Sequence, residues 1–239
     1  MRYRRSVSWV FEQKDWPITL LCLAVASLVP MVGPIAANGY QAAVAVELGR
    51  APGREQVRPF DLSALTVYLM TGLRLFLVGL AASVALLPLL FAGIAGLGLV
   101  TALVGATAAR PEAHPGPLLA AVLVAGTLLI ATVALGVASL VAPLWLRAAH
   151  LEDIAAAYDV AFCRDFWRRV GWASVACHFG MAGIAIALFA LGMLCCFVGI
   201  FPAMALVFLV QAHLYAQLYR LYLERGGTPI ADAPPSTIS

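Results

Sequence analysis

The chain has 239 residues, of which 63% are hydrophobic and only 11% charged, and its mean hydropathy is +0.94. Soluble domains carry about 25% charged residues, so this composition excludes an ordinary soluble domain and indicates a polytopic membrane protein. The net charge of +3 comes from basic residues spread along the chain, which argues against a nucleic-acid-binding protein. The length suffices for about five to seven membrane-spanning helices.

The chain opens with a basic arm, residues 1–14, which we expect on the cytoplasmic side. An apolar run follows it, as in a secretory signal peptide, but Glu12 and Asp15 interrupt the approach and no clean cleavage site follows. Asp15 and Pro17 are typical of a helix start. We therefore expect a retained first span.

The first apolar segment, 17–46, is longer than a membrane span requires. Thirty helical residues would extend about 45 Å, against a bilayer core of about 30 Å. Pro30, Gly33 and Pro34 interrupt the segment midway. It forms either one kinked, tilted span or a hairpin of two short helices.

The rest of the chain up to residue 225 completes a single transmembrane domain, 15–225. Segment 62–109 is too long for one span, and Pro88 predicts a break there. The predicted spans are 17–46, 62–87, 89–109, 116–146, 170–194 and 198–225, and residues 226–239 form a disordered tail. The predicted fold is an all-α polytopic membrane bundle of about six transmembrane helices plus one interfacial helix.

The interfacial helix is segment 147–169, which is neither uniformly apolar nor a tail. Its apolar residues recur at spacings of three and four, and its acidic residues fall off that stripe. Such a helix is stable in the headgroup plane with its apolar side down. The stripe consists of Leu151, Ile154, Tyr158, Phe162 and Phe166.

Basic residues predict the orientation. With six spans, the two ends and 147–169 hold ten Lys and Arg residues on one side, against four in the opposite loops. With a hairpin in 17–46 the split becomes eight to six. The positive-inside rule therefore favours six spans with both termini cytoplasmic, in the cell membrane. All five tryptophans fall at that same predicted interface.

Short motifs along the chain resemble a prokaryotic multi-pass membrane family. They are Gly39-Tyr40, Gly49-Arg50, Pro59-Phe60-Asp61, Gly72-Leu73, Ala161-Phe162, and Gly199 before a tyrosine-rich last helix. Together they look like the family catalogued as domain of unknown function 4013, across nearly the whole chain. The resemblance implies an integral membrane fold and carries no assigned activity or site residues.

A candidate intramembrane polar site consists of Arg74, His178, Gln211, His213 and Gln217. Arg74 is a charge within an apolar run, which predicts either a functional role with a partner or a side chain that snorkels to the interface. The last helix carries two polar rows, which either line a cavity or join helices. One row is Gln211, Tyr215 and Tyr222, and the other is His213, Gln217, Arg220 and Glu224.

Signals for catalysis and for metal or cofactor binding are absent from the sequence. His150, Glu152 and Asp153 are ligand residue types, but adjacent acids cannot both face one histidine on a helix, and no second histidine is near. The sequence has no HExxH, GxSxG, Walker or GxGxxG motif. We therefore expect no catalytic residues, no metal and no cofactor.

A seam of small residues marks one predicted helix. Ala95, Gly98, Ala102, Gly105 and Ala109 alternate at spacings of three and four. Such seams let helix backbones approach closely in lipid. Small residues also recur on the next helix: Ala121, Ala125, Thr132, Gly136 and Ser139. We therefore expect helix 89–109 to pack against helix 116–146.

These observations favour a non-enzymatic membrane component that interacts with lipids or proteins. The expected partners are membrane lipids, together with a protein partner or a second copy of the chain, and not nucleic acid. The alternative is a transporter or channel component with a polar cavity around Arg74. The two differ in whether the polar residues are consumed by helix contacts or converge on a cavity.

Overall fold

The computed structural model describes residues 1–50, 56–108, 116–151, 153–195 and 198–230. Every regular element within these ranges is a helix, which confirms the predicted all-α class. The helices are α1 (Tyr3–Phe11), α2 (Trp16–Ala26), α3 (Val32–Arg50), α4 (Leu65–Ala108, preceded by a 3-10 turn, Leu62–Ala64), α5 (Gly116–Leu151), α6 (Ile154–Ala157), α7 (Val160–Leu194) and α8 (Ile200–Glu224).

Four stretches among the described residues are long and apolar enough to cross a membrane, so the count of six spans is not confirmed. They are Leu62–Ala85, Ala120–Leu151, Val160–Leu194 and Ile200–Glu224.

The chain divides into two compact units, residues 1–79 with 141–239, and residues 80–140. In the first unit α8 is central, because α1, α2, α3 and α7 all pack against it. Leu214 and Leu218 of α8 are fully buried, and the Tyr222 ring lies 5.4 Å from that of Phe166. The core of this unit therefore surrounds α8 along most of its length.

The first apolar segment is a hairpin, so the single kinked span assumed in the six-span prediction is wrong. Helices α2 and α3 pack against each other on either side of a turn at residues 27–31. Met31 has a positive φ of 67°, and a Cβ added at Gly33 would collide with the backbone carbonyl of Ala26. Pro30 lies in this turn. A proline has no N–H to donate to the preceding helical turn, which favours the end of α2 here.

The predicted break at Pro88 is also wrong, because α4 runs without interruption through that residue for 44 residues. Proline lacks an N–H, so the carbonyl four residues earlier loses its helical donor. Apolar membrane helices tolerate such a loss, and α5 likewise continues through Pro143. Pro88, whose neighbours in the sequence are both leucine, therefore does not end α4.

Segment 147–169 is not one interfacial helix. The end of α5, the short α6 and the start of α7 divide it, and its acidic residues cap helices. The Asp153 carboxylate accepts a hydrogen bond from Ala155 N at 2.8 Å, and the Asp159 carboxylate accepts one from Phe162 N at 3.1 Å. Phe162 and Phe166, two members of the predicted stripe, are buried in the protein core instead of facing lipid.

Both predicted terminal segments contain ordered structure. The basic arm holds α1, whose Tyr3 hydroxyl donates to the Ala176 carbonyl at 2.6 Å. The first residues of the tail are fixed by α8, since Thr228 N and Ile230 N donate to the hydroxyls of Tyr222 and Tyr219. Residues 226–230, which the sequence predicts to be disordered, are therefore ordered. Residues 231–239 lie outside the described part of the chain.

The predicted seam is not packed against a helix where the structure describes it. Ala95, Gly98 and Ala102 are exposed, and a Cβ added at Gly98 would meet nothing within 4 Å. Ala121 and Ala125 on α5 are exposed as well. The surroundings of Gly105, and Ala109 altogether, lie outside the described part of the structure. The prediction that helix 89–109 packs against helix 116–146 through this seam is therefore wrong.

Close backbone packing occurs instead where α3 crosses α4. A Cβ added at Gly39 would collide with the Tyr68 carbonyl, and one added at Gly72 would collide with the Ile35 carbonyl. The two glycines thus bring the helix backbones into direct contact, which favours dispersion and weak C–H···O bonding. This crossing fixes α4 against the hairpin.

Candidate functional site

A directional chain of hydrogen bonds joins α7 to α8 through Tyr215. His178 Nδ1 lies 2.8 Å from the Ser174 carbonyl, which can only accept, so Nδ1 carries the proton. Nε2 of the neutral ring then accepts from the Tyr215 hydroxyl at 3.1 Å, and that hydroxyl accepts from Gln211 Nε2 at 3.1 Å. The side-chain polar groups of His178 and Tyr215 are therefore fully hydrogen-bonded within the protein, and this Tyr215 chain joins the two helices. The remaining donor and acceptor of the Gln211 amide are not part of it.

A second group, the Ser6 cluster, fastens α1 to α8. The Ser6 hydroxyl lies 2.9 Å from His213 Nδ1 and accepts from Gln217 Nε2 at 3.0 Å. Gln217 Oε1 accepts from the backbone N–H of Arg2 at 2.9 Å. The Trp9 ring stacks on His213, with 4.9 Å between centroids. Since Ser6 and Trp9 are almost completely buried, this cluster is helix-joining structure.

The predicted polar site therefore separates into two groups and Arg74. His178 and Gln211 meet through Tyr215, whereas His213 and Gln217 meet through Ser6. Arg74 is half-buried on α4 and has a polar or electrostatic interaction of its own.

The part of the polar rows near the C-terminus of α8 also joins helices. The Arg220 guanidinium donates to the Leu48 carbonyl of α3, and the Tyr222 hydroxyl donates to the Asp165 carboxylate of α7 at 3.0 Å. Asp165 in turn pairs with Arg169 at 2.8 Å. The polar rows of α8 are thus mostly joints to its neighbours, as expected where buried polar groups need partners.

One part of these rows does line an open space, which we call the lateral cavity. It has a volume of about 420 Å³ and lies among α3, α4, α5 and α8. Its polar groups are Asn38, Gln41, Gln211 and Tyr215, and its aromatic and apolar ones are Met31, Pro34, Ile35, Phe76, Trp145 and Phe208.

The lateral cavity has a polar floor and an apolar rim. Gln41 and Tyr215 are buried, at 2% and 6% exposure, whereas Met31 and Phe76 on the rim are 67% and 41% exposed. Trp145 Nε1 donates to Asn38 Oδ1 at 3.2 Å, which orients the Asn38 amide in the wall. No charged side chain lines it among the described residues, so it suits a neutral polar group attached to apolar chains.

Three residues of this site were missed from the sequence: Asn38, Gln41 and Trp145. Asn38 and Gln41 lie three residues apart within the apolar segment 17–46, and that spacing places them on one helix face. Polar residues with helical spacing inside an apolar run were the available signal. Trp145 was assigned to the membrane interface, and nothing in the sequence indicated its contact with Asn38.

His150, which stands near Glu152 and Asp153 in the sequence, packs against an aromatic ring. His150 is 3% exposed, and its ring lies 4.8 Å from that of Tyr219. Across the described residues, no group of three or more His, Cys, Asp or Glu side chains is placed to hold a metal ion. Glu152 lies outside the described residues.

Comparison of the chain with protein-family models, with curated proteins and with solved structures found no match.

Proposed function

We propose that this protein is a non-enzymatic integral membrane component that holds a glycerolipid in its lateral cavity. The observation that carries the proposal is the arrangement of a neutral polar floor behind an exposed apolar rim. Amide N–H donors of Gln211 and Asn38 suit the ester carbonyls of a lipid, while the rim suits its acyl chains. The family suggested by the short motifs is part of this proposal and adds no activity to it.

The other polar residues of α8 support a structural role over a hydrated path. His178 and His213 are buried and bonded within the protein, as are the hydroxyls of Ser6 and Tyr215. A pathway for ions or solutes needs polar groups that face water. The part of the row that faces open space is the part lining the lateral cavity.

The proposed topology places the hairpin of α2 and α3 as a re-entrant element that returns to its starting side. Helices α4, α5, α7 and α8 then cross the cell membrane, and both termini share one side. By sequence position, 13 of the 15 Lys and Arg residues fall on that side, Arg110 falls on the other, and Arg74 lies within α4. The positive-inside rule makes the basic side cytoplasmic.

A protein partner or a second copy on residues 80–140 belongs to the same proposal. Helices α4 and α5 have 44 and 36 residues, more than the roughly 20 that a bilayer requires. Phe91, Ile94 and Leu99 are exposed beside the small-residue seam. Apolar helix length beyond the bilayer favours association with another helix.

A transporter or channel component is the second candidate. It is favoured by Arg74, a half-buried cation within an apolar helix, and by the presence of Gln211 and Tyr215 at an open cavity. In that case the lateral cavity would take a polar solute, and acyl chains would not be needed for binding.

The test is retention of lipid by purified protein, measured by native mass spectrometry after titration with dioleoylphosphatidylglycerol. We expect the parent to retain one lipid at detergent concentrations that strip the others, and Gln211→Leu to lose it, because a floor donor is gone. Gln217→Leu is the matched control, since it removes the same amide from the same helix at the Ser6 cluster. Equal retention by the two variants, or none by the parent, would contradict the proposal.

A further inference from the structure

A second cavity, here called the basal cavity, lies at the base of the hairpin. It has a volume of about 270 Å³ and is enclosed by the link between α1 and α2, by α3, by residues 56–59 and by Leu209 of α8. Its size is near the small end of ligand pockets, which begin at roughly 300 Å³. The lateral cavity shares none of its lining residues.

The basal cavity gathers two positive and two negative side chains from three separate segments. Lys14 and Asp15 come from the link, Glu47 from α3, and Arg58 from the segment before α4. The ion pairs found among the described residues join other groups, such as Arg5 with Glu12 and Arg147 with Asp159. Within the described part of the chain, none of these four side chains is in a salt bridge.

Hydrogen bonds hold the walls of this cavity in place. Gln13 Oε1 accepts from Val57 N at 3.1 Å, and the Tyr40 hydroxyl donates to the Arg58 carbonyl at 2.8 Å. Phe60 N donates to the Thr19 hydroxyl at 3.3 Å. These bonds tie the segment before α4 to both arms of the hairpin, so the cavity is formed before any ligand binds.

The charges are sorted by depth. Glu47 and Asp15 are half-buried, whereas Lys14 and Arg58 are exposed. The aromatic rings of Tyr40, which is buried, and of Trp16 line the same space. Carboxylates beside aromatic faces favour a cation, and exposed Lys and Arg side chains favour a phosphate.

We propose that the basal cavity binds an ethanolamine phosphate group, with the ammonium inside near Glu47 and the phosphate at the mouth near Lys14 and Arg58. A simple anion would meet two carboxylates there, and a simple cation would meet two basic groups. A zwitterion pairs with all four. This inference is independent of the proposed lipid in the lateral cavity.

A membrane phospholipid presents this group in the required order. Its ammonium is outermost, its phosphate follows, and its acyl chains come last. An exposed apolar side chain adjoins the cavity for those chains: the Phe11 ring lies 5.1 Å from the ring of Trp16, which lines the cavity. Free phosphoethanolamine has the same recognised group without the chains.

Tryptophan fluorescence of the full-length protein in detergent tests the proposal, with dihexanoyl phosphatidylethanolamine, dihexanoyl phosphatidylglycerol and free phosphoethanolamine as probes. We expect the ethanolamine lipid to bind saturably and at least about tenfold more tightly than the glycerol lipid, because a charged hydrogen bond is gained. Free phosphoethanolamine binding about as tightly as the lipid identifies a soluble ligand. Clearly weaker binding by the free compound identifies the lipid.

A matched pair of variants locates the binding. Glu47→Gln is expected to weaken ethanolamine-lipid affinity about tenfold, whereas Glu224→Gln, the same change at an exposed carboxylate on α8, leaves it unchanged. Equal affinity of the parent for the two lipids, or an unchanged affinity in a folded Glu47→Gln protein, would overturn the proposal. The comparison of lipids on the parent protein does not depend on the folding of either variant.

Discussion

At the scale of single residues, close helix packing depends on where a glycine meets another backbone. The regular small seam at Ala95, Gly98 and Ala102 is exposed, whereas the isolated glycines Gly39 and Gly72 form the crossing of α3 and α4. Regular spacing predicted a helix face correctly but not what covers it. A partner backbone, which no single-sequence pattern identifies, decides that.

Gly72→Ala is expected to destabilise the protein, because its Cβ would collide with the backbone carbonyl of Ile35. The expected cost is about 1–3 kcal/mol, as for other overpacked sites. Gly79→Ala on the same helix is the control, since its Cβ would meet nothing within 4 Å. There alanine is expected to be neutral or to stabilise the helix by up to about 1 kcal/mol. Thermal unfolding in detergent compares them, and equal melting temperatures would refute the crossing.

At the scale of helices and turns, acidic residues of segment 147–169 define helix starts. Asp159 accepts from Phe162 N at 3.1 Å and also pairs with Arg147 at 3.0 Å. Outside the spanning stretches, Asp61 precedes the 3-10 turn in the same way. The Ser63 hydroxyl and N–H donate to its carboxylate and hold its pKa below the usual range.

Asp159→Ala is expected to lower the free energy of unfolding by about 1–2 kcal/mol, because α7 loses its cap. Asp159→Asn keeps an oxygen at the same position and should retain most of that stability, although it loses the ion pair. Asp15→Ala is the control, since Asp15 precedes α2 but its side chain makes no capping bond. Equal free energies of unfolding for all three variants, measured by denaturant titration, would contradict the capping role of Asp159.

Sequence patterns predicted the elements better than their connections. Apolar length located α5, α7 and α8 to within several residues at most ends, and the polar rows of α8 pointed to Gln211 and Tyr215. The turn at 27–31 and the continuity through Pro88 were not predictable, because a proline is compatible with a kink, a break or an uninterrupted membrane helix. Tertiary contacts decide among these outcomes. At residues 27–31 the deciding contacts are those of α2 and α3 with α8.

At the scale of the whole molecule, the polar segments of the first unit collect at one end. Leu48 near the end of α3 meets Arg220 near the end of α8, and His150 at the end of α5 meets Tyr219. The last residues of α3 and of α8 therefore lie at the same end of this unit. A topology that puts Leu48 and Arg220 on opposite sides of a membrane disagrees with this contact.

The most direct test of this account is the side of the membrane on which residue 56 lies. Single cysteines are introduced on a cysteine-free background as Gln56→Cys, Val198→Cys and Ser236→Cys, and intact cells are treated with an impermeant maleimide. Val198, between α7 and α8, should be labelled from outside. Gln56 and Ser236 should be labelled only after permeabilisation, because the proposed topology puts both on the cytoplasmic side. Labelling of Gln56→Cys from outside together with Val198→Cys would contradict the re-entrant hairpin and the four-crossing topology.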